Sequence, residues 1–124
     1  MTKNGALYDF LASFELPAYD ENSVYDLEGA PPFPYITFQS VTDSFGNTVT
    51  INVSLWYRAG SWADCNAKTE AISQAIGYGG KMIPYDGGSI WMKRGTPFAQ
   101  NMGDPSDDQI KRKLLTLNLE YLDT

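Results

Sequence analysis

The chain has 124 residues and a mass of 13.8 kDa, which is the size of one domain. Its content of 43% hydrophobic and 14% aromatic residues excludes a globally disordered chain. The net charge of −6 argues against binding nucleic acid through clustered phosphate contacts, and the absence of histidine excludes histidine-based triads, metal sites and general bases.

The single cysteine and the N-terminus bear on the compartment of the protein. Cys65 cannot form an internal disulfide and suits a reducing environment. The N-terminal segment lacks the continuous apolar run of a signal peptide, and no stretch approaches the ~18 apolar residues of a membrane span. We therefore expect the protein to stay where it is made, unless a larger assembly carries it.

The first half of the chain predicts a helix followed by a β-hairpin. Apolar residues recur at i, i+3, i+4 and i+7 between Leu7 and Phe14, which predicts an amphipathic helix over about Asn4 to Phe14. A strand is expected at about Tyr35 to Thr42. After a turn at residues 43–47, strict apolar–polar alternation predicts a second, half-buried strand over Thr48 to Tyr57.

The second half predicts another helix and three strands. Apolar spacing favours a helix over Ser61 to Ile76, and an Asp-Gly-Gly turn joins strands at Lys81–Tyr85 and Ser89–Arg94. A loop is expected over Gly95 to Gln109, followed by a strand over Lys111 to Tyr121. The order α-β-β-α-β-β-β indicates an α+β fold. We expect a mostly antiparallel sheet of about five strands, with both helices packed on one face.

Candidate chemical sites in the sequence are weak. Asp104, Asp107 and Asp108 offer clustered oxygens for a divalent cation, but their spacing fits no EF-hand loop, and a solvated loop is the preferred interpretation. The glycine-rich residues 77–81 follow a helix instead of preceding one, so a helix stop is favoured over a phosphate site. Cys65 lies on an apolar helix face with no histidine to activate it, which favours a core role. No catalytic residue, cofactor or metal is therefore expected.

Charge is distributed unevenly along the chain. Five of the nine basic residues flank the predicted loop: Lys93, Arg94, Lys111, Arg112 and Lys113. Residues 15–28 contain carboxylates and no basic residue, and the interface candidates among them are Asp20, Glu21, Asp26 and Glu28. Two interpretations stay open: charges that protect sheet edges, or a positive edge of one copy that faces the negative segment of the next.

Three large apolar residues fall in predicted loops and turns. Phe45 occupies the expected hairpin tip, Phe33 lies among prolines, and Phe98 lies in the long loop. Each could fold back onto the domain, whereas the three together favour a binding surface.

The sequence resembles the tail-terminator, or tail-completion, proteins of long-tailed bacteriophages. The resemblance covers nearly the whole chain. It lies in the order of the predicted elements and in the local sequence of several segments, without a catalytic signature. The segments that carry it are Leu7–Leu11, the Pro32-Phe33-Pro34-Tyr35-Ile36-Thr37-Phe38 stretch, Thr50–Tyr57, Ser61–Ile76, the Tyr85-Asp86-Gly87-Gly88 turn and Leu117–Tyr121.

The resemblance implies a structural, non-enzymatic virion protein. Proteins of this family form a hexameric ring on the finished tail tube, stop its polymerisation, and present a surface to head-completion or neck proteins. DNA passes through the lumen without sequence-specific contact, and no membrane is involved. The expected location is the head-proximal end of the virion tail, after assembly in the host cytoplasm. The loop Gly95–Gln109 is the candidate contact with the tube or neck.

Two other functions remain open at this point. One is a neighbouring head-completion or neck connector protein of the same virion. The other is a small metal- or ligand-binding domain that uses Asp86, Asp104, Asp107 and Asp108.

Overall fold

The computed structural model describes residues 1–22, 31–39 and 48–123. Among the predicted interface residues, Asp26, Glu28 and Phe45 lie outside this part, as does the predicted turn at residues 43–47.

The described residues form two helices and six strands. In chain order they are α1 (Lys3–Ala12), β1 (Ala18–Asp20), β2 (Tyr35–Phe38), β3 (Thr48–Arg58), α2 (Ala63–Ile76), β4 (Lys81–Tyr85), β5 (Gly88–Asp104) and β6 (Asp107–Asp123). The strands build one sheet in the order β1-β2-β3-β6-β5-β4. Only β1 and β2 pair in parallel within this sheet, and its other neighbours are antiparallel.

The predicted class of fold is confirmed, with one more strand than expected. The protein is a mixed α+β domain with two helices and a mostly antiparallel sheet. The additional strand is β1, which spans only Ala18–Asp20. Three residues are too few to show a period of two, so no sequence pattern predicts this strand.

One hydrophobic core joins both helices to one face of the sheet. Along β6 the alternate residues Leu115, Leu117, Leu119 and Tyr121 are completely buried, as the period of a half-buried strand requires. The same core contains the apolar stripes of both helices: Ala6, Leu7, Phe10 and Leu11 of α1, and Cys65, Ile72 and Ile76 of α2. In the described part of the chain, both helices therefore pack on this face, and the opposite face of the sheet, here called the open face, carries no helix.

The predicted loop at Gly95–Gln109 is wrong. Residues 95–104 continue β5, residues 107–109 begin β6, and Pro105 and Ser106 form the tip between them. A shift in register between Arg94 and Ala99 places four residues, 95–98, outside the regular ladder, and this irregularity accommodates Pro97, which has no N–H to donate. Pairing with β6 extends this polar segment, although its composition is typical of a loop.

The second helix ends where the glycines predicted. Gly77 follows α2 with a φ of 79°, in the left-handed region that favours glycine. Neither helix is long and apolar enough to cross a membrane, as judged on the described residues.

Candidate functional site

The sheet divides the five predicted basic interface residues between its two faces. Successive residues of a strand point to opposite sides. Arg94, Lys111 and Lys113 therefore lie on the face that carries the helices, and Lys93 and Arg112 lie on the open face. The basic residues lie on the two strands of the hairpin instead of flanking a loop, and they do not form one continuous positive patch.

Lys113 connects the second helix to the long hairpin. Its side chain is only 8% exposed. The Nζ atom donates to the Asn66 Oδ1 atom of α2 at 2.6 Å and to the amide oxygen of Asn101 on β5. It also lies 5.3 Å from the centre of the Trp62 ring, close enough for a cation–π contact. These contacts indicate a role in packing the domain together.

The other two basic residues of this face make contacts nearby. Arg94 donates from Nη1 to the Ser73 hydroxyl of α2 at 2.8 Å. Lys111 donates to the main-chain carbonyl of Asp108. Arg94 thus holds α2 against β5, and Lys111 supports the start of β6.

A row of aromatic side chains crosses the open face. The Trp56 and Tyr35 rings stack at 5.9 Å with an angle of 13°, and Tyr19 meets Tyr35 edge-on at 6.1 Å. The Arg112 guanidinium lies 4.7 Å from the Trp56 ring centre and donates from Nε to the Ser54 hydroxyl at 3.0 Å. Sequence reasoning missed this row, although Trp56 and Arg112 occupy positions of β3 and β6 that alternate with the core residues.

A shallow pocket adjoins this row at the tip of the hairpin. It has a volume of about 260 Å³ and is lined by Trp56, Arg112, Met102, Asp104 and Pro105, among others. Met102 is one of the exposed large apolar side chains. The pocket therefore offers apolar and charged groups together at the surface.

The two described phenylalanines of the predicted binding surface fold back onto the domain. Phe33 is half-buried and lies 5.3 Å from the Tyr35 ring. Phe98 is half-buried and packs against the core. The large apolar side chains that are exposed in the described part are Met1, Tyr8, Tyr78, Met82 and Met102.

The carboxylates at the hairpin tip are engaged in local contacts. The Asp104 Oδ1 atom accepts from the Ser106 hydroxyl at 2.7 Å and from its N–H at 2.8 Å, and these bonds lower the pKa of Asp104. Asp107 accepts from the Gln109 N–H and from the Arg58 guanidinium, and its pKa is lowered for these reasons. These contacts shape the turn without requiring a metal ion. Asp108 is exposed, and no group of three or more metal-ligating side chains occurs among the residues that the structure describes.

The structure describes two of the acidic interface candidates among residues 15–28, and both lie at one edge of the sheet. Asp20 is the last residue of β1, and its carboxylate accepts from the Asn22 N–H at 2.8 Å. Glu21 follows, and its N–H donates to the Phe38 carbonyl at 2.8 Å. Both carboxylates therefore sit beside the edge strand of the sheet.

The remaining candidate for reactive chemistry is buried. Cys65 is 1% exposed within the core, and burial raises the pKa of its thiol. A buried thiol with a raised pKa is a poor nucleophile, because the thiolate is the reactive form.

Comparisons of the sequence with models of protein families and with curated proteins find no match.

Proposed function

We propose that this chain is a structural virion protein, one subunit of a homo-hexameric ring that caps the tail tube of a long-tailed bacteriophage. The ring ends tube polymerisation and provides the joining surface for the head-completion or neck protein. DNA passes through its lumen without sequence-specific contact. The sequence resemblance to tail-terminator proteins suggested this function, and the open face of the sheet supports it.

The observation that carries the proposal is the surface that the sheet leaves uncovered. In the described residues, both helices pack on one face, and the open face presents Trp56, Arg112 and the neighbouring Met102. Aromatic residues, methionine and arginine are enriched in protein interfaces. A single domain with such a face suits contact with other proteins.

The chemistry of the described side chains gives less support to a metal- or ligand-binding domain. The carboxylates of Asp104 and Asp107 are held by hydrogen bonds within the hairpin. The pocket beside Trp56 is shallow and open to the surface, whereas small-molecule sites usually enclose most of their ligand.

Antibody labelling of isolated virions tests the location. We expect label against this chain at the head-proximal end of the tail, and label at any other place would refute the proposal. Deletion of the gene tests the role, because a terminator that is lost should leave tail tubes of uncontrolled length. Tails of normal length that fail to join heads would instead identify the alternative, a head-completion or neck connector protein.

A further inference from the structure

Two of the uncovered strand edges in the described part of the sheet belong to β5 and β1. β4 pairs with β5 only from Gly88 to Met92, so the outer side of Ala99–Gly103 has no neighbouring strand. At the other end of the sheet, β1 is the edge strand. An edge of this kind presents main-chain N–H and C=O groups that can pair with another chain.

These two edges lie at the same position along the strand direction, which is called here the level of a residue in the sheet. Following paired residues across the strands, Tyr19 leads through Thr37, Ser54 and Leu114 to Gln100. The pairing pattern also makes β1 and β5 run in opposite directions. Copies placed side by side, with their strands aligned, would therefore bring β5 of one copy against β1 of the next in antiparallel orientation.

The charges beside these edges are complementary. Asp20 and Arg94 both project on the helix side, because residues alternate along each strand. Glu21 and Lys93 are the chain neighbours of this pair, and Glu21 directly follows the end of β1. Asp20 and Arg94 lie two residues apart in level, which is about 7 Å along the strand. Lysine and arginine side chains span such diagonal separations between neighbouring strands.

The edge of β5 lacks the usual protection against pairing. Edge strands of monomeric proteins commonly carry charged residues, above all lysine. The stretch Ala99–Gly103 contains no charged residue, and its Met102 is 38% exposed. This composition suits an edge that is covered in the assembled protein.

From these features we infer that successive copies of the chain join edge to edge, with β1 of one copy pairing antiparallel to Ala99–Gly103 of the next. The contact uses two different surfaces of each subunit, so it can repeat from copy to copy around a closed ring. The closure of the contact into a ring rests on the proposed function, whereas the contact itself is a property of this chain.

Cysteine cross-linking tests which residues face each other. In a Cys65→Ala background, Tyr19→Cys copies are mixed with Gln100→Cys copies under mild oxidation, both in concentrated solution and in isolated tails. Directly opposed residues of antiparallel strands bring Cβ atoms to about 4.5–5.5 Å, near the range of a disulfide. We expect linked dimers in the mixture, and a ladder of higher oligomers when one chain carries both cysteines.

A matched pair controls for random collision. Met82 is 50% exposed and lies on β4, so Tyr19→Cys mixed with Met82→Cys should not link. Circular dichroism checks that each variant folds. Linking of the Tyr19 and Gln100 positions no faster than this control, in solution and in tails alike, would refute the edge contact.

Charge exchange provides a second, independent test. Glu21→Lys alone and Lys93→Glu alone should each weaken self-association about threefold or more, as expected for the loss of an exposed ion pair. The double variant should recover most of the wild-type association in sedimentation experiments. Additive weakening in the double variant would contradict the proposed facing of these two residues.

The outcomes distinguish this inference from the proposed function. Label at the head-proximal tail end without the cysteine link would leave the ring function standing and refute this contact. A cysteine link with label elsewhere in the virion would support the contact and refute the tail function.

Discussion

Lys113→Met should destabilise the domain far more than Lys111→Met does. Both lysines lie on the same side of β6, two residues apart. Lys113 is buried between Asn66, Asn101 and the Trp62 ring, whereas Lys111 is half-exposed and bonds to the main-chain carbonyl of Asp108. Methionine keeps an unbranched side chain that reaches the position of the lysine Cε and removes the ammonium group, so the pair of variants isolates the effect of the buried charge.

The magnitude follows from the contacts of Lys113. A hydrogen bond from a charged donor contributes about 1.5–3 kcal/mol, and a cation–π contact contributes about 0.5–2 kcal/mol. The substitution also removes the cost of burying an ammonium group, and the amide oxygens belong to the exposed residues Asn66 and Asn101, which water can reach. We therefore expect a net loss of about 1–3 kcal/mol in the free energy of unfolding.

Urea unfolding followed by circular dichroism measures this difference. Lys113→Met should lower the transition midpoint clearly, and Lys111→Met should stay within about 0.5 kcal/mol of the wild type, as surface substitutions usually do. Equal effects of the two substitutions would refute the structural role of Lys113. Charge reversal at Lys113 would also remove these contacts and so would test folding. Interface experiments on the basic residues should therefore leave Lys113 unchanged.

Three further predictions concern stability. Gly88→Ala should cost about 1–3 kcal/mol, because a Cβ atom there would lie 2.3 Å from the main-chain oxygen of Leu122 and would force β5 and β6 apart. The pKa of Asp107 is lowered by the Gln109 N–H and the Arg58 guanidinium, so its stabilising contribution should be present at neutral pH and be lost as the pH falls below about 4; Asp107→Asn should remove that dependence. Burial raises the pKa of Tyr57 to about 12, so stability should fall as the pH rises from about 10, where the unfolded chain ionises, to that value, and Tyr57→Phe should reduce the fall.

Each of these predictions has a control in the same molecule. Gly103→Ala in β5 should be nearly neutral, because no atom lies within 4 Å of the added Cβ; equal destabilisation at both glycines would contradict the steric explanation. For the pH dependences, urea midpoints of wild type and variant are compared across the acid and alkaline ranges. Parallel curves for Asp107→Asn and wild type, or for Tyr57→Phe and wild type, would show that the altered pKa is not linked to folding.

Local patterns predicted the elements whose burial is periodic. The 3.6-residue spacing identified both helices and their buried faces, and the period of two identified β3 and β6. The Asp86-Gly87 turn between β4 and β5 was also predicted, and Gly87 adopts a φ of 95° there. These features depend on residues that are close together in the chain, so they can be predicted from the sequence alone.

The candidate site could be predicted only in part. The sequence placed the basic residues on either side of a loop, whereas they lie on β5 and β6 themselves. Which of them share a face depends on the alternation along these strands, and part of β5 was predicted to be a loop. Burial of Lys113 depends on Asn66 and Asn101, which are distant in the chain. The aromatic row on the open face joins residues of three strands, with Arg112 of a fourth strand packed on Trp56, and no single segment reveals it.

The sequence alone determined the α+β class, the two amphipathic helices and the alternating strands, because the burial of each element follows from the spacing of apolar residues within its own segment. The tertiary structure alone decided that residues 95–104 form a strand, that Lys113 is buried and that β1 and β5 expose edges at one level of the sheet. The physical reason is that main-chain pairing is nearly independent of side-chain identity. A polar segment such as Ala99–Gly103 becomes a strand when a long partner strand satisfies its hydrogen bonds.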